Sequence, residues 1–356
     1  MLNDTQLRNK TVDVAKGVAG VFVVLGHTLA FRYHEGALLQ ITHLTTPLYI
    51  FLSGVFINVD RPWRQSWIRL FDALLKPYFV VLLALACWLT VVSRFHWSGY
   101  LLGMLYGTGA TIVLMPLWFL PHLFLCRVVG KVILHDCGVA QSKTVCMLLA
   151  SIFWCVGLCV VDWVLKQALP AGSGWSREFM MTTHWPGLPF SADVLPLTLA
   201  CLLAGYALSS VVRHCRFNAL LWAFSVGVIA VAIFYGAAFD VNRRVVVQPL
   251  GVTALVIAGL YAAITGAAGL ARWRFFADFF AYFGRYFLLV LLLHLLVLRS
   301  VFHGLDIWWP DAGVWQVVWM FVGGMVLSLL LVEIVRRSRV LSALLLPLPR
   351  SGSVST

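Results

Sequence analysis

Apolar runs of about twenty residues recur along almost the whole chain, and no long polar segment interrupts them. An α-helix rises ~1.5 Å per residue, so a run of that length matches the hydrocarbon core of a bilayer. Inside lipid every backbone N–H and C=O must be satisfied internally, so a chain built from such runs folds as a bundle of helices. Ten runs meet the length criterion, at about 12–32, 44–59, 70–93, 117–134, 145–166, 191–212, 218–238, 246–267, 279–302 and 314–335. The stretch 98–115 (SGYLLGMLYGTGATIVLM) is apolar but broken by glycines, and is expected to form an interfacial or re-entrant piece and not an eleventh span. With 61% hydrophobic and 11% charged residues, the chain lacks the polar side chains to cover a water-exposed surface. The expected fold class is all-α: a polytopic transmembrane helical bundle of about ten spans. One domain is expected over 1–345, followed by a short disordered cytoplasmic tail at 346–356 (LPLPRSGSVST). The polar N-terminus and the absence of a small-residue cleavage site after the first run give no expectation of a cleaved signal peptide.

The charges test the span count independently, because basic residues accumulate in cytoplasmic loops. With the N-terminus inside, the inner segments hold Arg8, Lys10, Arg61, Arg64, Arg69, Lys76, Arg127, Lys131, Lys143, Arg213, Arg216, Arg272, Arg274, Arg285, Arg336, Arg337, Arg339 and Arg350. The outer side holds Arg32, Arg94, Lys166, Arg177, Arg243, Arg244 and Arg299, and Lys16 lies within the membrane. Eighteen against seven favours an even number of spans with both termini cytoplasmic; an odd number would break the alternation. This scatter also accounts for the net charge of +12 without invoking a nucleic-acid partner. The eight cysteines fall in apolar spans or basic loops, which leads us to expect reduced thiols; Cys155 and Cys159 share a helix face but have no histidine or carboxylate beside them, so no metal is expected. The longest outer loop, about 167–190 (QALPAGSGWSREFMMTTHWPGLPF), is rich in Gly, Pro, Trp and His, and suits either a cover over a polar ligand or simple packing on the bundle.

The first run, DVAKGVAGVFVVLGH (13–27), carries an acid, a base and a histidine. Lys16 and His27 are eleven residues apart, ~16 Å of helical rise, and at ~100° per residue they return to nearly the same face. Asp13 stands three residues before Lys16, close enough to pair with it. Gly17 and Gly20 let a neighbouring helix or a ligand approach the backbone. Either these are snorkelling interfacial residues and a hydrogen-bonded core histidine, or they form a polar stripe from the inner side to mid-membrane; an unpaired charge costs at least ~2.5 kcal/mol there, so a stripe asks for a ligand or partner.

This stretch resembles the first-helix signature of the integral-membrane acyltransferase family 3, a basic residue and a histidine separated by ten residues. Four later stretches are similar to the same family in order: PLYIFLSGVFI (47–57), PLWFLPHLF (116–124), LPFSADVLPLTLACLLAGYAL (188–208) and YFGRYFLLVLLLHLLVL (282–298). The fit is to the sugar-acylating branch typified by fucose 4-O-acetylase-like and polysaccharide acetyltransferases; many relatives carry Arg where Lys16 stands.

The resemblance implies transfer of an acyl group, most often acetyl, from cytoplasmic acetyl-CoA to a saccharide hydroxyl at the outer side of a bacterial inner membrane. It implies as acceptor a lipid-linked sugar or polysaccharide repeat, such as an O-antigen or exopolysaccharide unit, with a homo-oligomer among the arrangements left open. His27 is then the catalytic candidate, as general base or acyl-histidine relay. Lys16, Asp13, Arg61 and Arg64 are the candidates for holding the anionic donor, with Arg69 beside them. Asp193 is a second catalytic candidate, able to orient an imidazole or bond sugar hydroxyls, or else merely a charge at a helix N-terminus. Trp118, Phe119, His122, His294 and Asp240, with Asn242, are candidates for the acceptor site; the two aromatics suit a core equally well. Glu333 is spaced to pair with Arg336 or Arg337. A multi-span transporter or flippase of a polar or lipid-linked substrate is the alternative, since it too needs an intramembrane histidine and a basic entrance.

Overall fold

The structure, a computed structural model, describes residues 10–31, 33, 36–92, 96–168, 187–309 and 313–348. Most of the outer loop at 167–190, the tail from 349, and Arg8, Arg32, Arg94, Arg177 and Arg350 lie outside these residues. The chain is a helical bundle, α1 Lys10–Ala30, α2 Ala37–His43, α3 Thr45–Val55, α4 Trp63–Leu70, α5 Lys76–Val92, α6 Trp97–Tyr106, α7 Phe119–Lys131, α8 Lys143–Ala168, α9 Leu195–Ala207, α10 Ser209–Arg213, α11 Ala219–Phe234, α12 Pro249–Leu270, α13 Arg274–Arg285, α14 Phe287–Trp308, α15 Val314–Arg337 and α16 Arg339–Leu345. One two-stranded antiparallel hairpin, β1 Ala238–Asp240 and β2 Val245–Val247, is paired Ala238↔Val247, Phe239↔Val246 and Asp240↔Val245. Among the described residues nine helical stretches are long and apolar enough to cross a membrane, and Ala219–Phe234 is a shorter apolar helix in the place of the seventh run. This is a multi-pass membrane protein.

Two of the runs are interrupted where the sequence reading made them continuous, and the second and third spans begin earlier than expected, at Ala37 and Trp63. The run at 279–302 is not one helix: the backbone breaks at Tyr286 (φ −106°, ψ 12°), and the span is Phe287–Trp308. Before the break, α13 buries Ala277, Ala281, Phe283 and Gly284 and leaves Phe275, Phe276 and Phe279 exposed. Its apolar phenylalanines run without a gap into the next helix, which is why periodicity alone merged the two. The seventh run ends early because Gly236 takes a left-handed turn (φ +86°) that starts the hairpin. The glycine-broken stretch forms the short helix α6, ended by Gly107 in the left-handed region (φ +69°), then an irregular segment tied back by the Thr111 hydroxyl to the Gly103 carbonyl.

Helix α1 packs against α2, α3, α12, α13, α14 and α15 and so occupies the centre. Lipid tails are as apolar as leucine, so helices associate in a membrane by close packing, and small residues permit it. A Cβ on Gly17 would overlap the Phe280 carbonyl, and one on Gly284 would overlap the Asp13 carbonyl, so α1 and α13 cross backbone to backbone. The same device joins α3 and α9, where Gly54 meets the Leu202 carbonyl and Gly205 the Phe51 carbonyl.

Several expected inner segments meet at one end. Lys10 pairs with Asp278 (2.8 Å), Lys143 donates to the Ser210 hydroxyl (3.2 Å), and Lys76, paired with Asp72 (2.6 Å), caps the carbonyls of Ala343 and Leu346 in the C-terminal segment.

Gly17→Ala should therefore lower stability by ~1–3 kcal/mol through overpacking at the crossing. Gly99→Ala, where a Cβ meets nothing, should be neutral. Thermal unfolding of the detergent-solubilised proteins compares them.

Candidate functional site

Helix α1 carries His27 into a cavity of about 120 Å³ deep in the bundle. Four other parts of the chain complete its wall: the polar start of the second span (Thr42, His43, Thr45, Thr46 and Tyr49), the start of the fourth (Trp118, Phe119), the hairpin (Asp240, Asn242, Arg243), and α14 (Phe287, Leu291). The hairpin follows the seventh run, so by alternation of spans it closes the cavity from the end opposite the Lys10 and Lys76 contacts.

The His27 ring packs on that of His294, with centroids 5.0 Å apart at 47°. His294 is fully buried, and its Nδ1–H donates to the carbonyls of Val290 and Leu291 (3.0 Å each). These bonds require a proton on Nδ1, and Nε2 is buried without a hydrogen-bond partner. Tyr49 stacks on Phe287 (4.1 Å, 11°), and its hydroxyl donates to the Lys16 carbonyl at 2.5 Å. One side chain thus reaches from the His27 cavity to the backbone of α1 one end nearer its start.

Two further cavities lie at the end of the bundle where α3 gives way to α4, about 370 and 240 Å³ in volume, and both are lined by Ile57, Asn58 and Arg61. The larger includes Phe56 and Arg213; the Lys16 ammonium and the Arg213 guanidinium each stand 5.4 Å from the Phe56 ring centre. The smaller is lined by four cations, Arg61, Arg69, Arg127 and Lys131, and by no carboxylate among the described residues. Arg127 donates to the carbonyl (3.1 Å) and hydroxyl (2.9 Å) of Ser53, while its Nε is buried without a partner. Lys131, 3% exposed, donates to the Arg61 carbonyl and to Ser66 Oγ (2.7 Å), over the face of Trp63 (4.8 Å). Four cations, Lys131 buried and Arg61, Arg69 and Arg127 partly so, without a lining acid among the described residues favour an anion as occupant.

Of the residues singled out in the sequence, His27, Trp118, Phe119 and Asp240 line the first cavity, and His294 lies directly behind His27. His122 stands behind Trp118 (5.3 Å); its Nδ1 faces the Phe190 carbonyl and its Nε2 the Thr198 hydroxyl, both at 2.9 Å. These bonds pin Phe190 and Ser191, which hold the left-handed backbone (φ +56° and +55°) that turns the chain into α9. Arg61 lines both basic cavities, and Lys16 adjoins the larger through Phe56. Asp13 is buried where α1 crosses α13; Arg64 is exposed and lines none of these cavities. Glu333 pairs with Arg336 (2.8 Å) and Arg337 (2.9 Å), as its spacing suggests.

Asp193 is outside the cavity wall. Its carboxylate is occupied by Arg244, from Nε to Oδ2 at 2.6 Å and from Nη2 to Oδ1 at 3.1 Å, and by the Leu188 amide at 2.8 Å. The pair is 4% and 11% exposed, and it holds Arg244 in the left-handed region (φ +58°), so it locks the hairpin onto the start of α9. In this geometry Asp193 positions the loop that brings Asp240 to the cavity.

The sequence reading missed His43, Tyr49, Arg127 and Lys131 as site residues. His43 sits in a polar THLTT cluster at the start of an apolar run, and Arg127 and Lys131 are four residues apart on one face of a membrane helix. Intramembrane polar residues at such positions are themselves the signal.

The fold and these cavities define a multi-pass membrane bundle with a histidine-lined cavity between its ends and a cationic pocket at one of them. The family model described as an acyltransferase domain, that of acyltransferase family 3, matches residues 9–335. The chain belongs to that family and is a membrane acyltransferase. Comparison with curated proteins and with solved structures gives no match.

Removing the charge at Asp193 strands a buried guanidinium, so Asp193→Asn should cost ~3–5 kcal/mol. Arg244→Met combined with it should cost less than the sum of the two single changes. A double-mutant cycle on thermal unfolding reads both.

Proposed function

We propose that the protein transfers an acetyl group from acetyl-CoA, entering from the cytoplasmic side, to a hydroxyl of a saccharide at the periplasmic side of a bacterial inner membrane. The observation that carries this reading is the placement of His27 in a cavity whose wall is shared by the Trp118 and Phe119 rings and by the hairpin residues Asp240 and Asn242. At about 120 Å³ it is close to the ~150 Å³ apolar cavity that accepts a benzene, so it has room for the reacting acyl group and a hydroxyl-bearing carbon and not for a whole nucleotide. The smaller of the two end cavities, lined by four cations and no acid among the described residues, suits the phosphates of a coenzyme A donor, and the larger beside it adds Arg213 but also Asp60. Aromatic faces and a carboxylate are what a sugar ring and its hydroxyls pack on and bond to.

In this reading Arg61, Arg69, Arg127 and Lys131, with Lys16 and Arg213 across Phe56, hold the donor. A thin pantetheine arm carries the thioester toward His27, which takes part in acyl transfer as general base or as acyl carrier. Lipid-linked sugars and polysaccharide repeats, including O-antigen and exopolysaccharide units, are the acceptors that a site between the membrane faces would meet.

Purified protein and its His27→Ala form are to be given radiolabelled acetyl-CoA and a membrane glycolipid extract. Transfer by the variant should fall at least ~100-fold with coenzyme A affinity kept. Equal transfer by both would remove His27 from the chemistry, and a parent that binds glycolipid without consuming acetyl-CoA would point to transport instead. Arg69→Ala should act on the donor: KM for acetyl-CoA rises about tenfold while kcat changes little, the pattern of lost uniform binding. Steady-state kinetics at saturating acceptor separate the two constants.

A further inference from the structure

The cavity holds two imidazoles, and the reading above uses only His27. His43 ends α2, and its Nε2 lies 3.6 Å from Asp240 Oδ2. Asp240 is in turn held by the Arg243 amide (3.1 Å, to Oδ1), with the Arg243 guanidinium 3.7 Å from Oδ2. His43 Nδ1 is buried and finds no hydrogen-bond partner in the protein. A carboxylate facing Nε2 favours the tautomer with the proton on that nitrogen, which leaves the Nδ1 lone pair basic. A buried acceptor without a partner is costly, and a ligand hydroxyl would satisfy it. Catalytic contacts are often long before substrate binds, so 3.6 Å between Nε2 and the carboxylate is compatible with tightening in the complex.

His43 and Asp240 also occupy the acceptor side. Asp240 comes from the hairpin, at the end of the bundle away from the cation-lined cavities, whereas α1 runs from Lys16, beside those cavities, to His27. The two histidines therefore face the reaction from different elements, one from the helix that starts at the donor pocket and one from beside the hairpin.

We infer that His43 is a second catalytic residue, the general base for the acceptor hydroxyl, with Asp240 as its positioning residue and His27 as the acyl carrier. This rests on the acyl-transfer reading above. A His27 ring nitrogen attacks the thioester carbonyl, the carbon–sulfur bond breaks, and coenzyme A leaves as a thiolate that takes up a proton from solvent. The acceptor oxygen then attacks the acyl carbon while its proton passes to His43 Nδ1. The carbon–nitrogen bond breaks with its electron pair returning to His27, and His43 releases the proton to solvent. The sum is acyl-CoA plus alcohol giving ester plus free thiol.

The test uses an acceptor that needs no base. Hydroxylamine is nucleophilic enough to attack an activated acyl group directly, whereas a sugar hydroxyl is not. Full-length parent, His43→Ala and His43→Gln in lipid nanodiscs are to be given labelled acetyl-CoA with either a membrane glycolipid extract or hydroxylamine. Both variants should lose about 100-fold or more in transfer to glycolipid while acetylation of hydroxylamine stays within about threefold of the parent. Asp240→Asn should show the same split with a smaller loss, and His27→Ala should lose both reactions. If the His43 variants lose both reactions together, the role of His43 is structural and the inference fails. It fails equally if neither reaction is lost. A parent that acetylates neither acceptor would overturn the acetyl-transfer reading itself, which the behaviour of the His43 variants cannot do.

Discussion

Close backbone contact along one helix is the constraint on which the rest of this protein depends. A bilayer gives no hydrophobic force between helices, so α1 can stand at the centre only if its neighbours approach closely enough for dispersion to hold them. Gly17 admits the backbone of α13, Gly20 the rings of Phe283 and Phe287, and Gly26 the side chain of Thr42. Each glycine is matched to a different neighbour at a different depth. The polar residues of the same helix are thereby delivered to different levels: Lys16 beside Phe56 at the basic cavities, and His27 into the cavity bounded by α3, the fourth span and the hairpin.

A second layer of contacts converts that packing into a shaped site. Tyr49 is bound to the Lys16 carbonyl and stacked on Phe287, so the cavity wall is rigidly referenced to α1. His122 and Thr198 hold the strained turn at Phe190 and Ser191, and the Asp193–Arg244 pair fastens the hairpin to the helix that follows that turn. None of these groups needs to touch a reactant to matter. Their joint effect is to present Asp240, Asn242 and Arg243 to a cavity that also holds His27, from parts of the chain more than two hundred residues apart.

Much of this was legible in the residues. The apolar runs announced a helical bundle, the eleven-residue spacing put Lys16 and His27 on one stripe, and the aromatic pair Trp118 and Phe119 fell where a wall was needed. Two readings needed the structure. The phenylalanine-rich run at 279–302 hid a break, because nothing in an unbroken apolar pattern distinguishes a helix lying against α1 from the start of the next span. Asp193 could be read as orienting an imidazole, as bonding a sugar hydroxyl or as a charge at a helix N-terminus, and the structure shows its oxygens held by Arg244, fifty-one residues away.

By itself the sequence determined that this chain is a multi-pass membrane protein of the acyltransferase family, with a basic residue and a histidine on one helical face. The spans and the shared face follow from local length, hydropathy and periodicity, and the family from the motifs it shares over residues 9–335; none of these needs a neighbour in space. Only the tertiary structure decided which polar residues share a cavity. That His43 joins His27, that Arg127 and Lys131 join Arg61, and that Asp193 is taken by Arg244 depends on which helices cross and at what height. Crossings of that kind are set by glycines meeting carbonyls between distant segments, a contact that no single stretch of sequence contains.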